Sequence, residues 1–232
     1  MSDNSVFAEK FKTILKLRHE PVAVKLVKKD EEYPEGYEFP SEQMTHCQAV
    51  MSAKNGNSYK LSAETQSCNV GAATLGMVPK PAKVISGEFH ANIGLHESPE
   101  AAKAMVEAAM DVPFQTQGEI VCPLKDANFK PDVVIFVDIP ERIYWFEVFF
   151  THKANGRVTY TTAPFQCACE DVTAVPIITG KPNISIGCFG CRRRTDMKAD
   201  EMAIGVPYDL IPEMVPILEK FKDGVFTKAK RD

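Results

Sequence analysis

An ordered series of landmarks occurs twice in this chain of 232 residues. Pro21-Val-Ala-Val-Lys-Leu-Val27 is matched by Pro131-Asp-Val-Val-Ile-Phe-Val137. Cys47 and Cys68 are separated by the same interval as Cys167 and Cys188. Gly76-Met-Val-Pro79 is matched by Gly205-Val-Pro207. Short apolar strands match one another by chance, and one equal spacing decides little. Four landmarks in the same order, with smoothly growing offsets, are what duplication followed by insertion produces. The expected repeats cover residues 20–110 and 130–222, with chance as the competing explanation. Two such halves would pack about a pseudo-two-fold axis, and equivalent cysteines would meet near it.

Periodicity fills in the elements. Ser5–Leu17 reads as a helix with Phe7, Phe11, Ile14 and Leu15 on one face. Cys68–Met77 is a second helix, ended by Gly76 and Pro79. Ser98-Pro99-Glu100 is a helix start: a cap, proline at the first position, then an acid. Pro140–His152 is a helix closed by Gly156. Thr195–Ile204 is a helix stopped by Gly205 and Pro207, and the last helix runs near Leu210–Phe221, with Pro216 inside. Predicted strands cover Pro21–Val27, Lys83–Ser86, Glu119–Leu124, Asp132–Asp138, Arg157–Thr162, Val172–Ile178 and Asn183–Ile186. This alternation predicts an α/β fold, a mixed sheet with flanking helices. No low-complexity linker divides the chain, so residues 1–232 are expected to be one domain. The charged tail Lys228–Asp232 is expected to fray.

Hydrophobic residues make up 44% of the chain and charged residues 25%, enough apolar surface for a sizeable core. A net charge of -4 supplies no basic field, so a nucleic-acid partner is not expected. No run approaches the roughly 18–20 apolar residues of a membrane span. Met1–Lys10 is polar and lacks the apolar core of a signal peptide. The chain is therefore expected in the cytoplasm, without a membrane partner.

That location sets the meaning of seven cysteines. Cytosolic thiol systems disfavour structural disulfides. A buried small hydrophobe, a reactive thiol and a metal ligand remain as readings. Cys47, Cys68, Cys167 and Cys188, if the two halves bring them together, form the full ligand set of a [4Fe–4S] cluster or a tetrahedral zinc site. Soft sulfur selects such centres over magnesium or calcium. Four buried thiols in a core are the plain alternative.

Cys188-Phe-Gly-Cys191 is the chain's Cys-x-x-Cys motif. It lies between a predicted strand and a predicted helix, where amides and Arg192, Arg193 and Arg194 favour a thiolate. Cys191 and Cys169 are further candidate ligands, and Arg192 is the candidate for substrate contact. Cys167-Ala-Cys169, read as extended, points both side chains to one face. Cys122 is read as structural. His46 abuts Cys47 and can ligate metal or move protons. No phosphate loop, dinucleotide fingerprint, His-Glu-x-x-His or nucleophile-elbow motif is present.

Several stretches taken together are similar to a known family. They are Pro21–Val27, Cys47, Cys68-Asn-Val-Gly-Ala72, Gly76-x-x-Pro79, Pro131–Val137, Ile184–Arg192 and Asp200–Pro207. They resemble the family called domain of unknown function 169, a cysteine-bearing family common in archaea and anaerobic bacteria. The resemblance runs from about Phe7 to Phe221 and implies an archaeal or anaerobic setting that favours iron–sulfur chemistry. It implies no particular activity. The family's matching segment often has Ser where this chain has Cys191, which makes Cys188 the stronger ligand candidate.

Three functions are expected to compete. The first is an iron–sulfur protein of anaerobic redox metabolism, either an electron carrier or a cluster-dependent enzyme. The second is a non-enzymatic zinc or cofactor-binding module. The third is a thiol-dependent reductase using Cys188 and Cys191. Expected partners are a small-molecule substrate or a redox protein, with a homo-oligomer as a further possibility.

Overall fold

A computed structural model describes residues 2–153, 156–222, 224 and 226. The elements in chain order are α1 (Asp3–Leu15), β1 (Val22–Lys28), α2 (His46–Ala53), β2 (Tyr59–Ser62), α3 (Asn69–Thr74), α4 (Ala82–Ile85), α5 (Glu88–Ala91), α6 (Pro99–Glu107), β3 (Thr116–Pro123), β4 (Val133–Asp138) and α7 (Pro140–Lys153). A π-helical segment (Cys167–Ala174), α8 (Val175–Thr179), β5 (Asn183–Ser185), α9 (Phe189–Arg194), β6 (Met202–Pro207) and α10 (Ile211–Lys222) complete them. The predicted frayed tail, Lys228–Asp232, lies outside the described residues.

The strands form a six-stranded sheet in the order β2-β3-β1-β4-β6-β5. Every strand pairing is antiparallel, which corrects the expected mixed sheet. The cause is visible at the centre. β1 meets β4 through Val22–Ile135, Ala23–Val134 and Val24–Val133, a register that reads the same from either strand. A pair arranged in this way about Ala23 and Val134 is antiparallel by geometry. Outward from it the two sides run alike. Val22 faces Pro123 on one side and Val133 faces Pro207 on the other. Tyr59 then faces Val121, and Asn183 faces Gly205, at the same step before each proline. Even the loop bonds correspond: Leu124 N donates to Pro21 O at 2.7 Å, and Tyr208 N to Asp132 O at 3.1 Å.

Alternation along the strands feeds two cores, because successive side chains leave opposite faces. Ala23, Ile120, Cys122, Val134, Phe136, Ile204 and Val206 face α1, α7 and α10, where Phe11, Phe146 and Leu218 are buried. Val22, Val24, Val121, Val133, Ile135 and Ala203 face α2, the π-helical segment and α9. Ser2 caps α1 by accepting from Ser5 N, and Lys16 ends it in the left-handed region at φ 52. α6 starts as predicted, with Ser98 capping and Pro99 in its first turn.

Four predicted elements differ. Lys83–Ser86 falls in α4 and the turn after it instead of a strand. Val172–Ile178 is helical: the π-helical segment runs directly into α8, and Pro176 lies in the first turn of α8. Arg157–Thr162 joins no strand ladder. Its Thr161 backbone is bound by the Asn183 side chain, with Thr161 N donating to Oδ1 and Nδ2 donating to Thr161 O. Thr195–Ile204 is a loop leading into β6, because residues from Met202 alternate between the two sheet faces.

Candidate functional site

The cysteine-bearing elements lie on the second face. Thr45 starts α2 through a capping box: Thr45 Oγ1 accepts from Gln48 N at 3.1 Å, and Gln48 Oε1 accepts from Thr45 N at 2.8 Å. Cys47 therefore sits in the first turn. In the other half, Gln166 adopts φ 61 and the chain enters the π-helical segment at Cys167. Residues with i→i+5 geometry are rare and concentrate at functional positions. Both Cys68 and Cys188 act as helix caps. Cys68 Sγ accepts from Gly71 N at 3.4 Å, and Cys188 Sγ accepts from Cys191 N at 3.3 Å.

Four sulfurs lie close enough to act on one another's protons. Cys47 interacts with Cys188 and Cys191, and so does Cys167. Cys188 receives bonds from Cys167, Cys47 and the Cys191 and Cys167 amides, which hold it well below the ordinary thiol range despite burial. Cys191 is lowered by Cys167 and Cys47 in the same way, against burial and the charge of Cys188. Those same bonds, with burial, push Cys47 and Cys167 well up. Within the quartet the surroundings therefore favour the thiolate at Cys188 and Cys191 and the thiol at Cys47 and Cys167.

Of the four equally spaced cysteines, Cys47, Cys167 and Cys188 are brought together, and Cys191 takes the fourth place. Cys68 stands beside Cys169, with Gly71 packed against both sulfurs. Burial first, then the charges of Cys68 and Cys188, raises the Cys169 thiol. Cys167 and Cys169 are not extended neighbours on one face, since both lie in helical backbone. Cys122 belongs to the opposite core, where its sulfur lies 3.8 Å from Tyr37 Oη. Among the described residues no group of three or more His, Cys, Asp or Glu is drawn around a common point as metal ligands would be.

Behind Cys47, both ring nitrogens of buried His46 are engaged. Nδ1 lies 2.7 Å from Glu119 Oε2, and Nε2 lies 3.1 Å from Thr173 Oγ1. Gln66 completes the network, donating Nε2 to Glu119 Oε1 and accepting from His46 N. His46 therefore has no free nitrogen for a metal. It anchors the start of α2 to the sheet.

In front of the sulfurs lies a cavity of about 910 Å³. Cys47, Cys68, Cys169 and Cys188 line one side, and Lys83, Val84, Phe89, His90 and Ile93 line another, with Phe165, Arg193 and Arg194 also on the wall. Arg192, the arginine singled out from the sequence, is not on that wall. Its guanidinium is bonded to the carbonyls of Ile186, Lys198 and Glu201, which fastens the loop around Cys188. The two arginines after it line the cavity in its place. Their run was visible in the sequence, but which of the three faces inward depends on the helical turn. His90 and His96 both pack on the Phe165 ring, with centroids 4.4 and 5.5 Å away. Burial, then the charges of His96 and Lys80, lowers His90 to about 4.

No helix among the described residues is long and apolar enough to cross a membrane. No solved structure matches the chain. A curated relative, the uncharacterized protein MJ0308 of Methanocaldococcus jannaschii, is 28% identical over 218 residues, which is 93% of either chain. The model of the DUF169 family, described as uncharacterised ArCR, matches residues 10–216, and with nearly the whole chain covered the protein belongs to that family.

Proposed function

We propose that this protein binds a thiolate-held metal centre, a [4Fe–4S] cluster, at the junction of two related halves, and that it uses the cluster in redox chemistry in the cytoplasm. The observation that carries this reading is the quartet of Cys47, Cys167, Cys188 and Cys191, drawn from three separate segments into mutual contact. Two of these sulfurs already favour the thiolate form, and a metal replaces the protons of the other two, as thiol ligation requires. A set of soft donors without carboxylate suits iron–sulfur or zinc. Cys68 and Cys169 stand next to the quartet as alternative or additional donors. The matching sheet order and register about Ala23–Val134 support the origin of the halves by duplication. The adjoining cavity favours a cluster-dependent enzyme over a simple electron carrier, which needs no room for a substrate.

The test is purification without oxygen, followed by iron, zinc and acid-labile sulfide analysis and a visible spectrum. Iron with sulfide and a broad brown absorption is expected, lost in Cys47→Ser and Cys188→Ser and kept in Cys122→Ser. Zinc without sulfide replaces the cluster with a zinc centre. A protein that takes up neither metal under these conditions leaves the third reading, thiol chemistry. The lowered Cys188 and Cys191 pKa values favour it, since a thiolate is the nucleophile.

A further inference from the structure

The two halves differ most in the segment beyond their capped helix. After α9, the chain reaches β6 through the short loop Thr195–Glu201. After α3, it makes the long excursion Leu75–Gln115 before β3, and that excursion carries α4, α5 and α6. These helices pack chiefly on one another. They supply Pro81, Lys83, Val84, Phe89, His90 and Ile93 to the cavity wall opposite the sulfurs. The cavity thus exists because one half carries an insertion that the other lacks.

Its lining has a definite character. Phe89, Phe165, Phe189, Val70, Val84 and Ile93 make it largely apolar. Three cations reach it, Lys83 from α4 and Arg193 and Arg194 from α9, and no Asp or Glu lines it. In a chain with net charge -4, that is a local reversal of sign. Lys83 is 3.3 Å from Glu88, while Arg193 and Arg194 have no ion-pair partner among the described residues. Arg193 lies over the exposed Phe189 ring at 6.0 Å, which places a cation and an aromatic face side by side. On another side, buried His90 has an Nδ1 without a hydrogen-bond partner. Unpaired buried polar atoms are uncommon in folded proteins and mark places where a ligand supplies the missing partner.

We propose that this cavity binds a small organic anion with an apolar, planar body. Its charged group meets Arg193 and Arg194, and its body lies along the apolar wall to which Phe89 and Phe165 contribute, in front of the cysteines. This inference holds whether the sulfurs carry a cluster, zinc or their protons, so its failure and that of the metal reading are separate results.

Two fluorescent probes that share one ring system test it on the full chain. 1-Anilinonaphthalene-8-sulfonate carries the anion, and N-phenyl-1-naphthylamine lacks it. Saturable binding of the sulfonate by the unaltered protein is expected. Arg193→Ala/Arg194→Ala changes two exposed side chains and should weaken the sulfonate about tenfold or more, and the neutral probe by less than about twofold. Ile93→Trp puts a larger ring into the cavity against its apolar wall and should weaken both. Circular dichroism checks that each variant is folded, and if Ile93→Trp is not, the arginine variant decides alone. The proposal is overturned if the unaltered protein shows no saturable binding, or if the arginine variant binds the sulfonate normally. It also fails if that variant loses both probes equally, or if a folded Ile93→Trp keeps both.

Discussion

His46 Nδ1 lies 2.7 Å from Glu119 Oε2, joining the first turn of α2 to the middle of β3 immediately behind Cys47. Both side chains are buried, and Gln66 and Thr173 use up their remaining bonding positions. Replacing Glu119 by Leu removes the acceptor from Gln66 Nε2 whichever nitrogen of His46 carries the proton. A loss of about 1–3 kcal/mol is expected from one buried group left unpaired. Urea unfolding measures it, and an unchanged midpoint would mean that this network holds nothing in place.

Lys54 is fully buried, with Nζ 2.8 Å from Glu201 Oε2. Glu201 also meets His19 at 2.6 Å and the Lys198 amide at 2.9 Å. Lys54→Met removes the main cation and keeps the volume. Stability should fall by about 3 kcal/mol, the lower end for breaking a buried pair, because the other partners stay. Lys54→Met/Glu201→Gln should recover part of that loss in the same unfolding assay.

Acid should change the stability through groups of opposite sign. His90 is lowered from 6.5 to about 4, so its own contribution falls as pH drops through that interval, while Glu170 and Asp171, both raised to about 7 by burial, contribute in the opposite direction. Burial raises Glu201, but bonds from Lys54, the Lys198 amide and His19 outweigh it and bring its pKa to about 2. Its contribution is complete above about 4.5 and is lost as pH falls towards 2. The difference between the urea midpoints of the unaltered protein and His90→Gln, taken at a series of pH values, isolates the His90 part. That difference should change between about pH 6.5 and 4 and be flat above it; a difference that does not vary with pH would mean that His90 is not held neutral by the fold.

Gly205 on β6 lies where a Cβ would come 2.1 Å from Val172 O in the π-helical segment. Gly205→Ala must push that segment off the sheet, at a cost of about 1–3 kcal/mol. Because the segment begins at Cys167, the shift should also disturb the thiol quartet. Faster alkylation of the buried cysteines at constant pH is the expected sign. A destabilised variant with unchanged alkylation rates would separate the strand contact from the site.

The central strands were legible because continuous apolar runs such as Val133–Val137 have few other uses. The thiol site was partly legible: equal spacing picked out Cys47, Cys167 and Cys188. It placed Cys68 in the quartet and left Cys191 as an extra, because spacing carries no information about which sulfur a capped helix turns inward. Segment Val172–Ile178 misled because its β-branched residues suit a strand, while their burial against β6 and β5 is set by tertiary contacts that no local pattern records. Lys83 was hidden for a related reason. A wall made of three short helices has too few turns to show a periodicity.

The excursion Leu75–Gln115 also separates two kinds of change open to this family. Substitutions in residues 81–107 alter the shape and charge of the cavity outside the strand ladders, and at Val84 and Val106 they also meet Cys68. Substitutions near Cys47, Cys188 or Cys191 act on both halves at once, because Cys47 from the first half interacts with Cys188 and Cys191 from the second. The cavity wall can therefore be varied one short helix at a time, apart from the sulfurs of the quartet.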